Sequence, residues 1–160
     1  KLDGTNAQIY ITDDGQFLTG SRNKWITPDD DNYGFSRWAH ANKEILMDLG
    51  PGRHFGEWWG QGIQRNYGLK EKRFSLFDIY KWGGSAARPS CCHVVPTLCQ
   101  GPFVDMTIDL ALEMLSAGSV AAPGYQKPEG IVIFHTQSRH LFKKTFEKDD
   151  AGKGKDNFNE

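Results

Sequence analysis

The alternation across residues 8–12, closed at once by Asp13-Asp14-Gly15, constrains this chain more than any other feature. Ile9 and Ile11 fall on one side, and Gln8, Tyr10 and Thr12 on the other. A side-chain period of two that runs into a turn signal, and then into residues 16–19, predicts a β-hairpin. Eighteen glycines, seven prolines and five tryptophans in 160 residues extend that reading, because turns and aromatic strands use these residues. More sheet than helix is expected.

The rest of the chain supplies further elements. Residues 53–59 and 73–80 read as aromatic strands joined through a glycine-containing turn. Residues 130–134 form a short apolar run that predicts a buried strand, and residues 140–147 alternate as a last one. Ser36 can cap a helix that begins at Arg37, aligns Trp38, Ala41, Ile45, Leu46 and Leu49, and stops at Gly50-Pro51-Gly52. Residues 103–117 align Val104, Ile108, Leu112 and Leu115 as a second amphipathic helix. Residues 25–35, 83–101 and 118–128 read as loops. With no internal repeat and no linker, residues 1–150 are expected to form one α+β domain, and residues 151–160 a polar tail.

Composition excludes several classes. A hydrophobic share of 38% and a charged share of 24% belong to a globular protein, not a disordered one. A net charge of −1 argues against binding nucleic acid over the whole surface and leaves room for a localised basic site. No apolar run approaches the roughly 20 residues of a membrane-spanning helix, and no secretory signal opens the chain. Three cysteines do not make a disulfide framework, which points to a reducing compartment, the cytoplasm. Cys91-Cys92-His93 with Cys99 lacks the usual C-x₂-C zinc spacing and reads as free thiols in a loop.

Chemistry is concentrated in a set of short motifs. Lys1-Leu2-Asp3-Gly4 alone is weak, since a solvated lysine on a surface turn accounts for it equally well. A lysine nucleophile must shed its proton, which neighbouring cations or desolvation favour. The tetrapeptide is followed by Ser21-Arg22, by Phe55-Gly56-Glu57-Trp58-Trp59-Gly60, by Phe74-Ser75-Leu76-Phe77-Asp78-Ile79, by Glu129-Gly130-Ile131-Val132, and by Phe142-Lys143-Lys144. In this order the set resembles motifs I, Ia, III, IIIa, IV and V of the covalent nucleotidyltransferases, the polynucleotide ligases and mRNA capping enzymes. The resemblance spans residues 1–147. Lys1-Leu2-Asp3-Gly4-Thr5-Asn6 is most similar to the RNA ligase 2-like branch, in which Gly-Thr-Asn follows the lysine. DNA ligases usually carry an arginine where Asn6 stands. The motif III and IV patterns look similar to phage-encoded RNA ligases, which would place the protein in the cytoplasm of a bacterial host.

The resemblance implies a nucleotidyltransferase (adenylation) domain with antiparallel sheets flanked by helices around an ATP cleft. It implies that Lys1 is the catalytic nucleophile, attacking the α-phosphorus of ATP to leave a lysine–AMP phosphoramidate. Arg22 would bind the ribose or phosphate side, and Asn6 the phosphate region. Glu57 would accept from a ribose hydroxyl, and Phe77 would stack on adenine, although a phenylalanine in an apolar strand is usually core. Glu129 would hold Mg²⁺ or Mn²⁺ near the phosphates. Lys143 and Lys144 would serve the α-phosphate, but family members commonly have two lysines separated by one residue. Here they are adjacent and point to opposite faces of a strand. Lys143 shares its face with Leu141, Thr145 and Glu147, and is the expected phosphate ligand. The implied cofactors and partners are ATP, a divalent cation and RNA ends or a nicked duplex, with no membrane, bound by a monomer. Because a domain rarely starts on its catalytic residue, the chain is read as lacking its natural N-terminal segment. An ATP-dependent DNA ligase, a capping guanylyltransferase and a non-catalytic nucleotide- or RNA-binding module remain the alternatives.

Overall fold

The computed structural model describes residues 1–146; the expected polar tail and Glu147 lie outside the described residues. Strands β1 (Thr5–Ile11), β2 (Phe17–Gly20), β3 (Trp25–Ile26), β4 (Gly52–Gly60), β5 (Lys72–Leu76) and β6 (Cys92–Val94) form one sheet in the order β3-β2-β1-β4-β5-β6. All pairs are antiparallel except β5 with β6. The hairpin register sets Ile9 opposite Thr19 and Ile11 opposite Phe17, so that Ile9, Ile11 and Phe17 enter one core together. That face also carries Trp58, Phe74 and Leu76, and it is covered by Phe35, Ala39, Leu46, Leu49 and Trp82 from helical segments. Glycine is required where β4 meets β5, because a Cβ on Gly56 would lie 2.5 Å from the Phe74 ring. These elements make up a compact unit of residues Leu2–Thr97.

The first helix departs from its expected form. Instead of one helix from Arg37, there are α1 (Phe35–Ala41), α2 (Lys43–Leu46) and a 3-10 turn, Met47–Leu49. Ser36 does not cap α1. Its hydroxyl is buried against the Thr19 hydroxyl at 2.8 Å, and the Asp31 carboxylate accepts the Ser36 and Arg37 N–H groups instead (2.7 and 3.0 Å). Asn42 bonds back to the Trp38 carbonyl at 2.8 Å, offering the backbone a competing partner where α1 ends. The break resets the helical phase, so Ala41 and Ile45 are exposed while Leu46 and Leu49 are buried. The second aromatic strand also stops early. Asp78 accepts from the Lys81 N–H and caps a short α3 (Ile79–Trp82), which removes residues 77–80 from the strand. Short strands β3 and β6 lie in segments expected to be loops. Both are only two or three residues long, too short to show a period.

His54 on β4 is 6% exposed, donates from Nε2 to the Gly50 carbonyl at 2.9 Å and lies against the Trp82 ring. Burial, reinforced by the Lys81 cation, pushes its pKa down. The unfolded chain therefore binds a proton here before the folded chain does. The stability contribution is present above the ordinary histidine value and is lost as pH falls through the depressed one. Thermal melts should show wild-type stability falling as pH drops from about 7 to 5, and His54→Gln, which keeps a donor but does not titrate, should flatten that fall. An identical slope in the variant would exclude His54 as the cause.

A second compact unit comprises Lys1 and, among the described residues, 98–146. Helix α4 (Asp105–Ser116) packs Ala111 and Leu115 against Ile131 of a two-stranded antiparallel sheet, β7 (Gly130–His135) with β8 (His140–Thr145). Val104, expected on the buried helical face, precedes α4 and is exposed. Nor is β7 buried throughout. Ile131 is 4% exposed, but Val132 and Phe134 are 45% and 48% exposed. In this pair one face meets α4 and the other does not, so an unbroken apolar run conceals an alternating strand. Among the described residues no helix is long and apolar enough to cross a membrane.

Candidate functional site

Within the first unit, the face of β1 and β4 turned away from the core collects Asn6, Glu57 and their neighbours. Asn6 lies opposite Glu57, and Glu57 opposite Ser75. Glu57 is 8% exposed, so it is no solvated strand carboxylate, and its Oε1 accepts the Gly4 N–H at 3.1 Å. Arg22 is exposed and lines a small pocket with Asn6, Ala7, Gln8, Ser21 and Phe55. Phe77 follows β5 directly, donates its N–H to the Phe55 carbonyl and is 40% exposed, outside the core. Trp58 and Trp59 are buried, Trp58 in the core and Trp59 beneath the Tyr67 ring.

The segment after Lys1 is held by residues that no sequence motif marks. Tyr67 Oη accepts the Asp3 N–H at 2.7 Å, and Arg65 Nε donates to the Asp3 carboxylate at 3.0 Å. Asn32 Nδ2 donates to the Thr5 hydroxyl at 3.0 Å. Arg65 and Tyr67 come from the β4–β5 connection, where Gln64, Asn66 and Tyr67 all have positive φ. Backbone held in this sparsely populated region is found where surrounding structure fixes it. The only local signal was the run of glycines around these residues. Their partner, Asp3, lies 62 positions from Arg65 and 64 from Tyr67, beyond any periodicity.

Gly4 itself admits no side chain: a Cβ there would sit 2.4 Å from the Trp58 carbonyl oxygen and 2.7 Å from Trp59 Cβ. Gly4→Ala should therefore displace this segment and cost about 1–3 kcal/mol, as overpacking does. Thermal denaturation checks this, and an unchanged midpoint would show that the strand gives way freely.

Within the second unit, Lys1 Nζ donates to Glu129 Oε2, and the Lys1 backbone nitrogen donates to the Gly130 carbonyl. Their side chains are 18% and 9% exposed, so Lys1 is not a solvated turn lysine. Gly130, at φ +149, is required after Glu129, because a Cβ there would lie 2.1 Å from the Lys144 carbonyl oxygen. In the β7–β8 register Lys143 stands opposite Val132, and Lys144 opposite Ile131. Directly opposite residues of an antiparallel pair share a face. Lys143 is thus on the exposed face with Val132, and Lys144 on the face that packs against α4. The RNA ligase family profile matches residues 1–150. The chain belongs to the RNA ligase family. A Naegleria gruberi RNA ligase with PPi has the same fold, with a TM-score of 0.58 at 22% identity, over 91% of this chain and 47% of that one. The chain thus spans about half the length of that RNA ligase. No curated protein matches it significantly.

The structure brings two groups of these residues together, each inside one unit of this RNA ligase family member. Asn6 and Glu57 share a sheet face, Arg22 lines a pocket with Asn6, Phe77 follows β5 beside Phe55, and Lys1 meets Glu129. Lys143 and Lys144 are separated by the strand between their faces. Among the described residues, no three His, Cys, Asp or Glu side chains cluster as a metal site. Cys92 is buried and its thiol is pushed up by desolvation. The carboxylate at Lys1, that of Glu129, is the donor type that a magnesium ion completing its shell with phosphate oxygens and water would take.

Proposed function

We propose that residues 1–150 form the nucleotidyltransferase domain of an ATP-dependent RNA ligase of the RNA ligase 2-like, phage-type branch, acting in the cytoplasm as a monomer. The observation that carries this reading is the pairing of Lys1 with Glu129 across 128 positions of sequence. It joins the motif I amine to the motif IV carboxylate, the two groups this chemistry needs at one phosphorus.

Three transfers follow. Lys1 Nζ attacks the α-phosphorus of ATP, the bond to the β-phosphate oxygen breaks, and pyrophosphate leaves lysine–AMP. The RNA 5′-phosphate then takes AMP from the lysine. Finally a 3′-hydroxyl attacks that 5′-phosphate and releases AMP. Attack requires the lysine lone pair, so Lys1 must give up one ammonium proton to water or a phosphate oxygen as its Nζ turns from Glu129 to the phosphorus, which leaves that carboxylate available. Glu129 would then hold the divalent cation, whose charge neutralises that of the phosphates. Lys143 meets the α-phosphate, Asn6 and Arg22 meet the phosphate and ribose side, Glu57 accepts from a ribose hydroxyl, and Phe77 stacks on adenine. With so little acid–base chemistry, positioning and charge neutralisation account for most of the rate.

Incubation with α-labelled ATP and magnesium, followed by denaturation, tests the reading. Label should remain on the chain and be acid-labile, as a phosphoramidate is. No retained label would favour the non-catalytic binding module. Retention from GTP but not ATP would favour a capping guanylyltransferase. In a sealing assay, preference for a nick whose 3′-hydroxyl strand is DNA would favour a DNA ligase.

A further inference from the structure

The sheet face that carries Asn6, Glu57 and Phe77 continues along β1 and β4 to a cluster that none of these roles uses. Tyr10 lies opposite Arg53 on β4. The Arg53 guanidinium sits 5.0 Å from the Tyr10 ring centroid and 5.1 Å from that of Trp25. Tyr10 and Trp25 are themselves stacked, with centroids 6.0 Å apart and planes 26° from parallel. Gln8 props the arrangement from below: its Oε1 accepts from Arg53 at 3.2 Å and its Nε2 donates to the Ser21 carbonyl at 2.9 Å. Phe55, half-exposed, comes next on the same face, two residues from Arg53 on β4.

An exposed tryptophan is the costly part of this arrangement, since a large aromatic surface in water gains nothing for the fold. Trp25 is 46% exposed and Phe55 50%. The Tyr10–Arg53–Trp25 stack holds these planes in place, so a ligand would not have to order them on binding. Cations on this face include the exposed Arg53 and, next to Trp59, Arg73, while the exposed Arg22 lines the pocket beside Asn6 and Phe55; the carboxylate of Glu57 is buried. Flat rings interleaved with guanidinium groups suit bases and phosphates, and the arrangement reads no particular base. From Glu57 back to Arg53 is four residues of strand, about 13 Å. A strand that starts at Asn6 and runs back along β1 and β4 would pass over Phe55, Tyr10 and Trp25.

We infer that Trp25, Tyr10, Arg53 and Phe55 form a stacking platform for unpaired RNA nucleotides next to the end being joined. The inference rests on the ligase reading for its choice of RNA, but its geometry does not depend on the nucleophile.

The test measures anisotropy of a fluorescein-labelled single-stranded oligoribonucleotide at several salt concentrations, alongside lysine–AMP formation. Trp25→Ala should weaken binding about tenfold, as loss of one stacked base does, while Trp25→Phe retains most of the affinity. Arg53→Gln should weaken binding and also flatten its salt dependence by about 0.7 in log–log slope, one phosphate contact on a single strand. Lysine–AMP formation should stay within about twofold of wild type in all three, since neither Trp25 nor Arg53 has a role in that transfer. Unchanged affinity in Trp25→Ala and Arg53→Gln, or a wild-type chain that does not bind the oligoribonucleotide, overturns the platform. If RNA affinity depends on Trp25 and Arg53 while wild type retains no AMP, the platform stands and the nucleotidyltransferase reading fails.

Discussion

Lys1→Ala and Lys1→Arg each lose all covalent AMP, the largest effect expected in this protein. Alanine removes the amine. Arginine keeps the positive charge but cannot offer a free-base nitrogen, since its guanidinium stays protonated. The pair of variants is needed because Lys1 is not a bland surface position. Its side chain is 18% exposed and its amine is bonded to a carboxylate that is 9% exposed. Alanine leaves that carboxylate without this cation, so some loss of stability accompanies the loss of activity. Arginine restores the cation, and its melting temperature should lie closer to wild type. Mass spectrometry of the denatured protein after incubation with ATP reads the outcome. An AMP adduct on Lys1→Arg would place the nucleophile elsewhere.

The second large effect separates the two adjacent lysines. Glu129→Ala and Lys143→Ala should each slow lysine–AMP formation by about 10²–10³, the cost of removing one preorganised charge from a developing phosphoryl transition state. Lys144→Ala should cost much less. The reason lies in the strand register. Lys143 stands opposite the exposed Val132, whereas Lys144 stands opposite Ile131, whose side chain packs on α4 with Ala111 and Leu115. The proposed roles put the α-phosphate on the exposed face with Lys143, out of reach of an amine on the α4 side of the strand. Single-turnover rates with labelled ATP decide the matter, and a larger loss at Lys144 than at Lys143 would reverse the assignment of faces.

The sequence by itself determined the pieces whose signal is local. The hairpin could be read from its alternation, and Ile9 and Ile11 enter the core side by side as that period requires. Both aromatic strands, the helix over residues 105–116 and the last two strands were legible for the same reason, as was the order of the motifs along the chain, whereas the pairing of those last two strands was not. What a local period cannot express was decided by tertiary structure. Ser36 has the chemistry of a cap, but Thr19 on another element claimed its hydroxyl, and Asp31 took its place. The aromatic strand ended at Leu76 because Asp78 could cap a turn of helix. Residues 130–134 looked uniformly buried, yet Val132 is exposed because only one face of β7 packs on a helix. The clamp on Asp3 from Arg65 and Tyr67, and the meeting of Lys1 with Glu129, join residues far apart in sequence. Side-chain period is fixed by backbone geometry within a few residues, whereas such contacts depend on which distant elements close on one another, and no window of sequence contains that information.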